Sequence, residues 1–135
     1  IRRAEYDIST TYCVRIRGLT MSLKWPNKDP DETLDYSVDW SRFLGTATIA
    51  SVTWFVKSKS FNTKTELEDG EDLNTATGGE STDSIQNVST SNTSTVATIN
   101  IAGGTNNEEY TFFCQMRDST GSTAERTIKL RVRER

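Results

Sequence analysis

The side chains that could do chemistry are few in this chain, and their spacing rules out most kinds of it. Its 135 residues include no His and only two Cys, Cys13 and Cys114. Without His, the Ser-His-Asp and Cys-His nucleophile sites, His-bearing zinc sites and histidine pH switches all fall away. The cysteines are far apart with no CxxC, so they do not read as a metal-ligand pair. Each lies in a strand-like alternation, which favours buried free thiols; a disulfide would need their strands to be neighbours. Asp29, Asp31 and Glu32 match calcium ligands in type, but lack the Gly and spaced oxygens of a known loop. The chain has no nucleophile elbow and no Gly-rich phosphate loop between strand and helix. Carboxylate pairs could still converge in space, as in glycoside hydrolysis, but here the acids cluster in expected loops. The residues therefore predict a non-enzyme with no cofactor and no metal site.

Charge is laid out unevenly behind a formal net charge of −3. Residues 1–28 carry a net +4, residues 29–110 a net −10 and residues 111–135 a net +3. The acidic middle argues against wrapping nucleic acid, which needs a concentrated basic face. Basic ends could instead meet an acidic neighbour, including another copy of the chain. No stretch approaches the roughly 20 apolar residues of a membrane span, so no membrane partner is expected. The chain begins at Ile1 rather than Met, which reads as a start inside a longer product or after processing.

Positioning these groups is the task of strands. Ser and Thr make up 35 of the 135 residues, and only two are Pro. That composition favours antiparallel sheets with wet outer faces. In the first 20 residues, Tyr12, Val14 and Ile16 alternate with Cys13, Arg15 and Arg17, one face apolar and one charged. This predicts either a first strand of the domain's own sheet or an arm that adds to a neighbour's sheet. Pro26 and Pro30 make residues 21–34 an extended approach segment, with Trp25 placed to cap the core or to meet a partner. Residues 35–40 and 47–57 read as strands, the second with Ala50, Val52, Trp54 and Val56 on one face. Residues 58–92, centred on the acidic run Glu66–Asp72, read as a long solvated loop hiding at most short strands, one of them near Ile85–Val88. Val96, Ile99 and Ile101 alternate imperfectly, which hints at a bulge or at a misread edge.

Gly103-Gly104-Thr105-Asn106-Asn107 is a turn signal. After it, Tyr110, Phe112, Cys114 and Met116 share a face, with Phe113 opposite. The last strand sets Ile128, Leu130 and Val132 inward and Lys129, Arg131 and Arg133 outward. That cationic row either protects an edge or near-edge strand from aggregation or meets an acidic surface.

Short strands without crossover helices predict an all-β fold, an immunoglobulin-like antiparallel β-sandwich with an extended N-terminal arm. Trp54 in a central strand, Tyr110 opening the penultimate one and Cys114 further along it are the landmarks. The expected division is an arm and approach segment at 1–34 and a sandwich at 35–135 with the acidic loop at 58–92. The expected core is Trp40, Trp54, Tyr110, Phe112, Cys114 and Leu130. The Tyr110 hydroxyl is expected to tie back to the preceding turn. Tyr12, Val14, Ile16, Trp25, Phe113, Lys129, Arg131 and Arg133 are the expected subunit-contact residues.

The stretch Met21-Ser-Leu-Lys-Trp-Pro-Asn-Lys-Asp-Pro-Asp-Glu-Thr-Leu-Asp-Tyr-Ser-Val-Asp-Trp40 resembles the opening of small tailed-bacteriophage virion proteins described as fiber–tail adaptors. Ile49-Ala-Ser-Val-Thr-Trp54, Ile101-Ala-Gly-Gly-Thr-Asn106 with Tyr110, and Thr127-Ile-Lys-Leu-Arg-Val-Arg133 are similar to that family in order and spacing. The resemblance covers most of residues 21–135, while the stretch at 58–92 is longer and more acidic than the family suggests. It implies a structural protein of the phage virion, assembled in the host bacterial cytoplasm. Its expected work is to link neighbouring subunits at the junction of tail or neck with fiber, as a homo-oligomer among tail, neck, fiber or capsid proteins. Two other functions fit the same residues: a capsid decoration protein that cements capsomers, and an Ig-like carbohydrate- or receptor-binding module using exposed aromatics such as Phe113 or Trp25.

Overall fold

A computed structural model of the chain describes residues 5–6 and 11–15 as backbone and residues 23–134 completely. In chain order the elements are β1 (Glu5–Tyr6), β2 (Thr11–Arg15), β3 (Leu23–Lys24), β4 (Leu34–Asp39), α1 (Ser41–Leu44), β5 (Ile49–Ser58), β6 (Thr65–Glu66), α2 (Leu73–Ala76), β7 (Gln86–Asn92), β8 (Val96–Ala102), β9 (Glu108–Asp118) and β10 (Thr123–Val132). They form two five-stranded sheets, ordered β1-β2-β4-β8-β7 and β3-β10-β9-β5-β6. Apart from the N-terminal strands, the first matches the B-E-D row of an immunoglobulin sandwich and the second its G-F-C-C′ row. Two pairings are parallel, β2 with β4 and β3 with β10; the others are antiparallel.

The inward faces follow the two-residue period of a strand. Tyr110, Phe112, Cys114 and Met116 of β9 and Ile128, Leu130 and Val132 of β10 are fully buried. Leu34, Tyr36 and Val38 of β4 and Ala97, Ile99 and Ile101 of β8 close on them from the other sheet. Trp25 sits where the sheets meet: its ring stacks on Tyr36 with centroids 4.8 Å apart, and lies 5.6 Å from Phe112 and 6.1 Å from Trp54. Its indole N–H donates to the Ser37 carbonyl at 3.2 Å. Aromatic pairs in such offset arrangements add to the area they bury. Cys114 is a free buried thiol, so this aromatic group stands where antibody domains carry a disulfide between the sheets.

Several expectations need correction. Trp25 is not available to a partner, because it is fully buried among aromatics of both sheets. Residues 58–92 are not one loop. They contain β6, α2 and the seven-residue β7, and they bury Leu67, Leu73, Ile85 and Asn87. The short strand expected near Ile85–Val88 is the start of β7, which runs on to Asn92 through residues with little apolar content, pairs with β8 and is also tied to the segment after β6. Asn87, for instance, donates its side-chain N–H to the Leu67 carbonyl at 2.9 Å.

In β5 the register shifts between Ile49 and Ser51, which exposes Ala50 and turns Ile49 into the core. The irregularity hinted at near residues 96–99 lies in the partner strand, between Asn87 and Ser89. β8 itself alternates cleanly, with Ala97 rather than Val96 buried.

Candidate interaction surface

The approach segment is tied to the last strand before it enters β4. Trp25 N–H donates to the Lys129 carbonyl at 2.9 Å, and Lys28 N–H to that of Arg131 at 3.0 Å. Arg133 N–H returns a bond to the Lys28 carbonyl at 2.7 Å. Lys28 is itself buried, and its ammonium donates to the carbonyls of Gly103 at 2.6 Å and Asp29 at 2.9 Å. Burial pulls its pKa down to about 8, against the opposing pull of Glu32, Asp29 and Asp31. Two of the acids that match calcium ligands only in type hold the turn here. Glu32 accepts from Asp29 N–H at 3.0 Å and Asp29 from Asp31 N–H at 2.9 Å.

The turn that receives Lys28 needs its glycines. Gly103 has φ +72°, and a Cβ there would run into the Ser84 carbonyl. Close by, the Tyr110 hydroxyl accepts from Thr105 N–H at 2.8 Å and donates to the Asp83 carboxylate at 2.7 Å. Burial, then the bond to Asp83, holds that phenol well above the usual tyrosine range. Asp83 also accepts from Ile85 N–H at 2.9 Å, so one carboxylate joins two loops and a strand. The tie-back from Tyr110 to the turn follows the sequence expectation, whereas Asp83 had no signal among its Ser and Thr neighbours.

The outer face of the β3-β10-β9-β5-β6 sheet carries several of the residues expected to make subunit contacts. Register places Phe55 of β5 beside Phe113 of β9, and Thr127 of β10 beyond it. The Lys64 ammonium lies 4.9 Å from the Phe55 ring centroid and 4.8 Å from that of Phe113, and pairs with Glu125 at 2.6 Å. Lys57 approaches the Phe113 ring at 5.9 Å. Such cation–π contacts contribute roughly 0.5–1 kcal/mol each at exposed sites. One step along the strands, Lys129, Thr111 and Lys57 line up in register, and Arg131 lies opposite Glu109. Between them opens a groove of about 320 Å³ whose lining includes Lys57, Lys59, Asn62, Glu109 and Lys129.

The expected contact residues thus divide. Phe113, Lys129 and Arg131 share this sheet face, with Phe113 half-buried beneath Lys64, while Arg133 lies exposed just past the end of β10. Trp25 lies in the core. Tyr12 and Val14 lie in β2, opposite Tyr36 and Val38 of the chain's own β4, while their side chains and the whole of Ile16 lie outside the described residues. The cationic row stands on a near-edge strand beside the short β3, and residues 25–28 take up its backbone groups at Lys129, Arg131 and Arg133. The six expected core residues, Trp40, Trp54, Tyr110, Phe112, Cys114 and Leu130, are all buried. Sequence reasoning missed Phe55, Lys57 and Lys64, which become neighbours of Phe113 only once β5 pairs with β9.

The fold and this surface define a small β-sandwich with a cationic and aromatic sheet face. Residues 28–77 match the family described as Podophage GP4 fiber-tail adaptor protein gp77. The matched span runs from the Lys28 turn through β4, β5 and β6 to the end of α2, and so contains Lys57, Lys59 and the acidic run. It agrees with the fiber–tail adaptor resemblance where it overlaps the stretches 21–40 and 49–54, while those at 101–110 and 127–133 lie outside the matched span. No curated protein matches the chain.

Proposed function

We propose that this chain is a non-enzymatic structural component of a podophage virion that links neighbouring subunits at the junction of tail and fiber. The match of residues 28–77 to the fiber-tail adaptor family carries the reading. The fold supports it physically. A two-sheet core tied twice around the turn between β8 and β9, by Lys28 to Gly103 and by Tyr110 to Asp83, is a stiff unit. Stiffness suits a part that holds position while its outer face meets a neighbour. The face that offers contact is the Phe55–Phe113 sheet, whose cations suit acidic protein surfaces and whose aromatic rings supply apolar area.

The test is the chain's copy number in purified particles by quantitative mass spectrometry. A tail component is present in a small multiple of the tail's rotational symmetry. A count comparable with the major capsid protein would overturn the reading in favour of shell decoration.

A further inference from the structure

The domain is polarised across its sheets. At one side β6 and β7 are the outermost strands of the two sheets, and the acidic turn between β6 and α2 joins them. Leu67 N–H bonds the Trp54 carbonyl at 3.0 Å on one sheet, and Gly70 N–H bonds the Asn87 carbonyl at 2.7 Å on the other. Glu71 N–H closes the turn on the Glu68 carbonyl at 2.9 Å. These bonds fix the backbone while the Glu68 and Asp69 side chains stay exposed. The groove of Lys57, Lys59 and Lys129 opens instead on the outer face of the β5-β9-β10 strands, with Glu109 the one acid among its described lining residues.

We infer that the acidic turn of one copy, around Glu68 and Asp69, docks in the lysine groove of a second copy, between Lys57, Lys59 and Lys129. Charge complementarity selects this occupant. The net −10 of residues 29–110 includes five acids within Glu66–Asp72, and the groove concentrates cations on a face of the same chain. A turn fixed at both flanks loses little freedom on docking, which favours it over a mobile acidic tail. Donor and acceptor surfaces are different parts of one subunit, so the contact is heterologous. Repetition of a heterologous contact gives a ring if its rotation closes and a filament if it does not. Phe55 and Phe113 beside the groove supply the apolar area that a purely ionic contact lacks. The inference rests on the reading of the chain as a repeating part of the tail and names how its copies meet.

The test is sedimentation velocity of the purified full chain at low and high salt, with circular dichroism to verify folding. The wild type associates with rising concentration, and salt weakens the association. Lys59→Glu with Lys129→Glu, and separately Glu68→Lys with Asp69→Lys, each weaken it about tenfold or more. The chain carrying all four substitutions associates again, because both partners have exchanged sign. Folded single-side variants that associate like wild type, or a folded four-fold variant that stays monomeric, overturn the inference. Should a variant misfold, zero-length crosslinking of labelled with unlabelled wild type decides. Crosslinks from Glu68 or Asp69 to Lys57, Lys59 or Lys129 between chains support the contact; intermolecular crosslinks confined to other surfaces overturn it. All of this is read on the purified chain, so its failure is distinct from failure to find the chain at the tail.

Discussion

The ammonium of Lys28 lies 2.6 Å from the carbonyl oxygen of Gly103, a bond that spans 75 residues of sequence. It joins the segment entering β4 to the turn between β8 and β9. The same segment is paired with β10, so three distant parts of the chain close one end of the sandwich. A buried ammonium is costly unless its protons are taken up, and here two backbone carbonyls accept two of the three.

Stability should carry the mark of that burial. The folded pKa of Lys28 is about 8, below its ordinary 10.5. Between those values the unfolded chain holds a proton that the folded chain has released, so this group makes stability rise with pH there. Cys114 acts in the opposite sense: burial pushes its thiol up from 9.0 to about 12, so its contribution falls as pH climbs through that window. Comparison with Lys28→Met isolates the lysine. Urea unfolding should show wild type gaining about 1–3 kcal/mol on the variant between pH 7.5 and 10.5. A flat difference would mean that the ammonium is not buried.

Trp25→Ala should destabilise the isolated chain by about 3–5 kcal/mol, as core tryptophan truncations do. Its ring touches Tyr36, Trp54 and Phe112 at once. Trp54→Ala, removing a ring that is 3% exposed, should cost a similar amount. Thermal melts of the monomer check both, and a Trp25→Ala melt matching wild type would return Trp25 to the surface.

Much of this was legible beforehand because strands advertise themselves by period. In β9 Tyr110, Phe112, Cys114 and Met116, and in β10 Ile128, Leu130 and Val132, recur at every second position and all turn into the core. Trp25 was harder, since its neighbours Lys24 and Pro26 give it no period and only tertiary pairing with β10 draws it inward. β7 was harder still, because its sequence Gln-Asn-Val-Ser-Thr-Ser-Asn has little apolar content to alternate. The surface was half legible: Lys129 and Arg131 show their face within one strand, whereas Phe55 and Lys64 join Phe113 through a register that sequence does not state.

Tyr110→Phe should cost about 1–3 kcal/mol, because it leaves the Asp83 carboxylate and Thr105 N–H without their shared partner. Asp83→Ala should cost a comparable amount. The double variant should cost less than the two added together, since both remove one bond network. Chemical denaturation of the four chains measures this coupling, and strict additivity would deny it.

Cys114 should resist alkylation in the folded chain at pH 8, where its buried thiol stays protonated, and react once urea unfolds it. Mass spectrometry of iodoacetamide-treated protein, mapped to the peptide containing Cys114, reads the difference. Prompt labelling without denaturant would contradict the packing of β9.

Electron cryomicroscopy of intact virions tests the central claim most directly. With the sandwich fitted as a rigid body, the account predicts density for it in a symmetric set at the junction of tail and fiber, its Phe55–Phe113 sheet face against a neighbouring subunit. Density for the same sandwich spread over the capsid shell, with none at the tail, would contradict it.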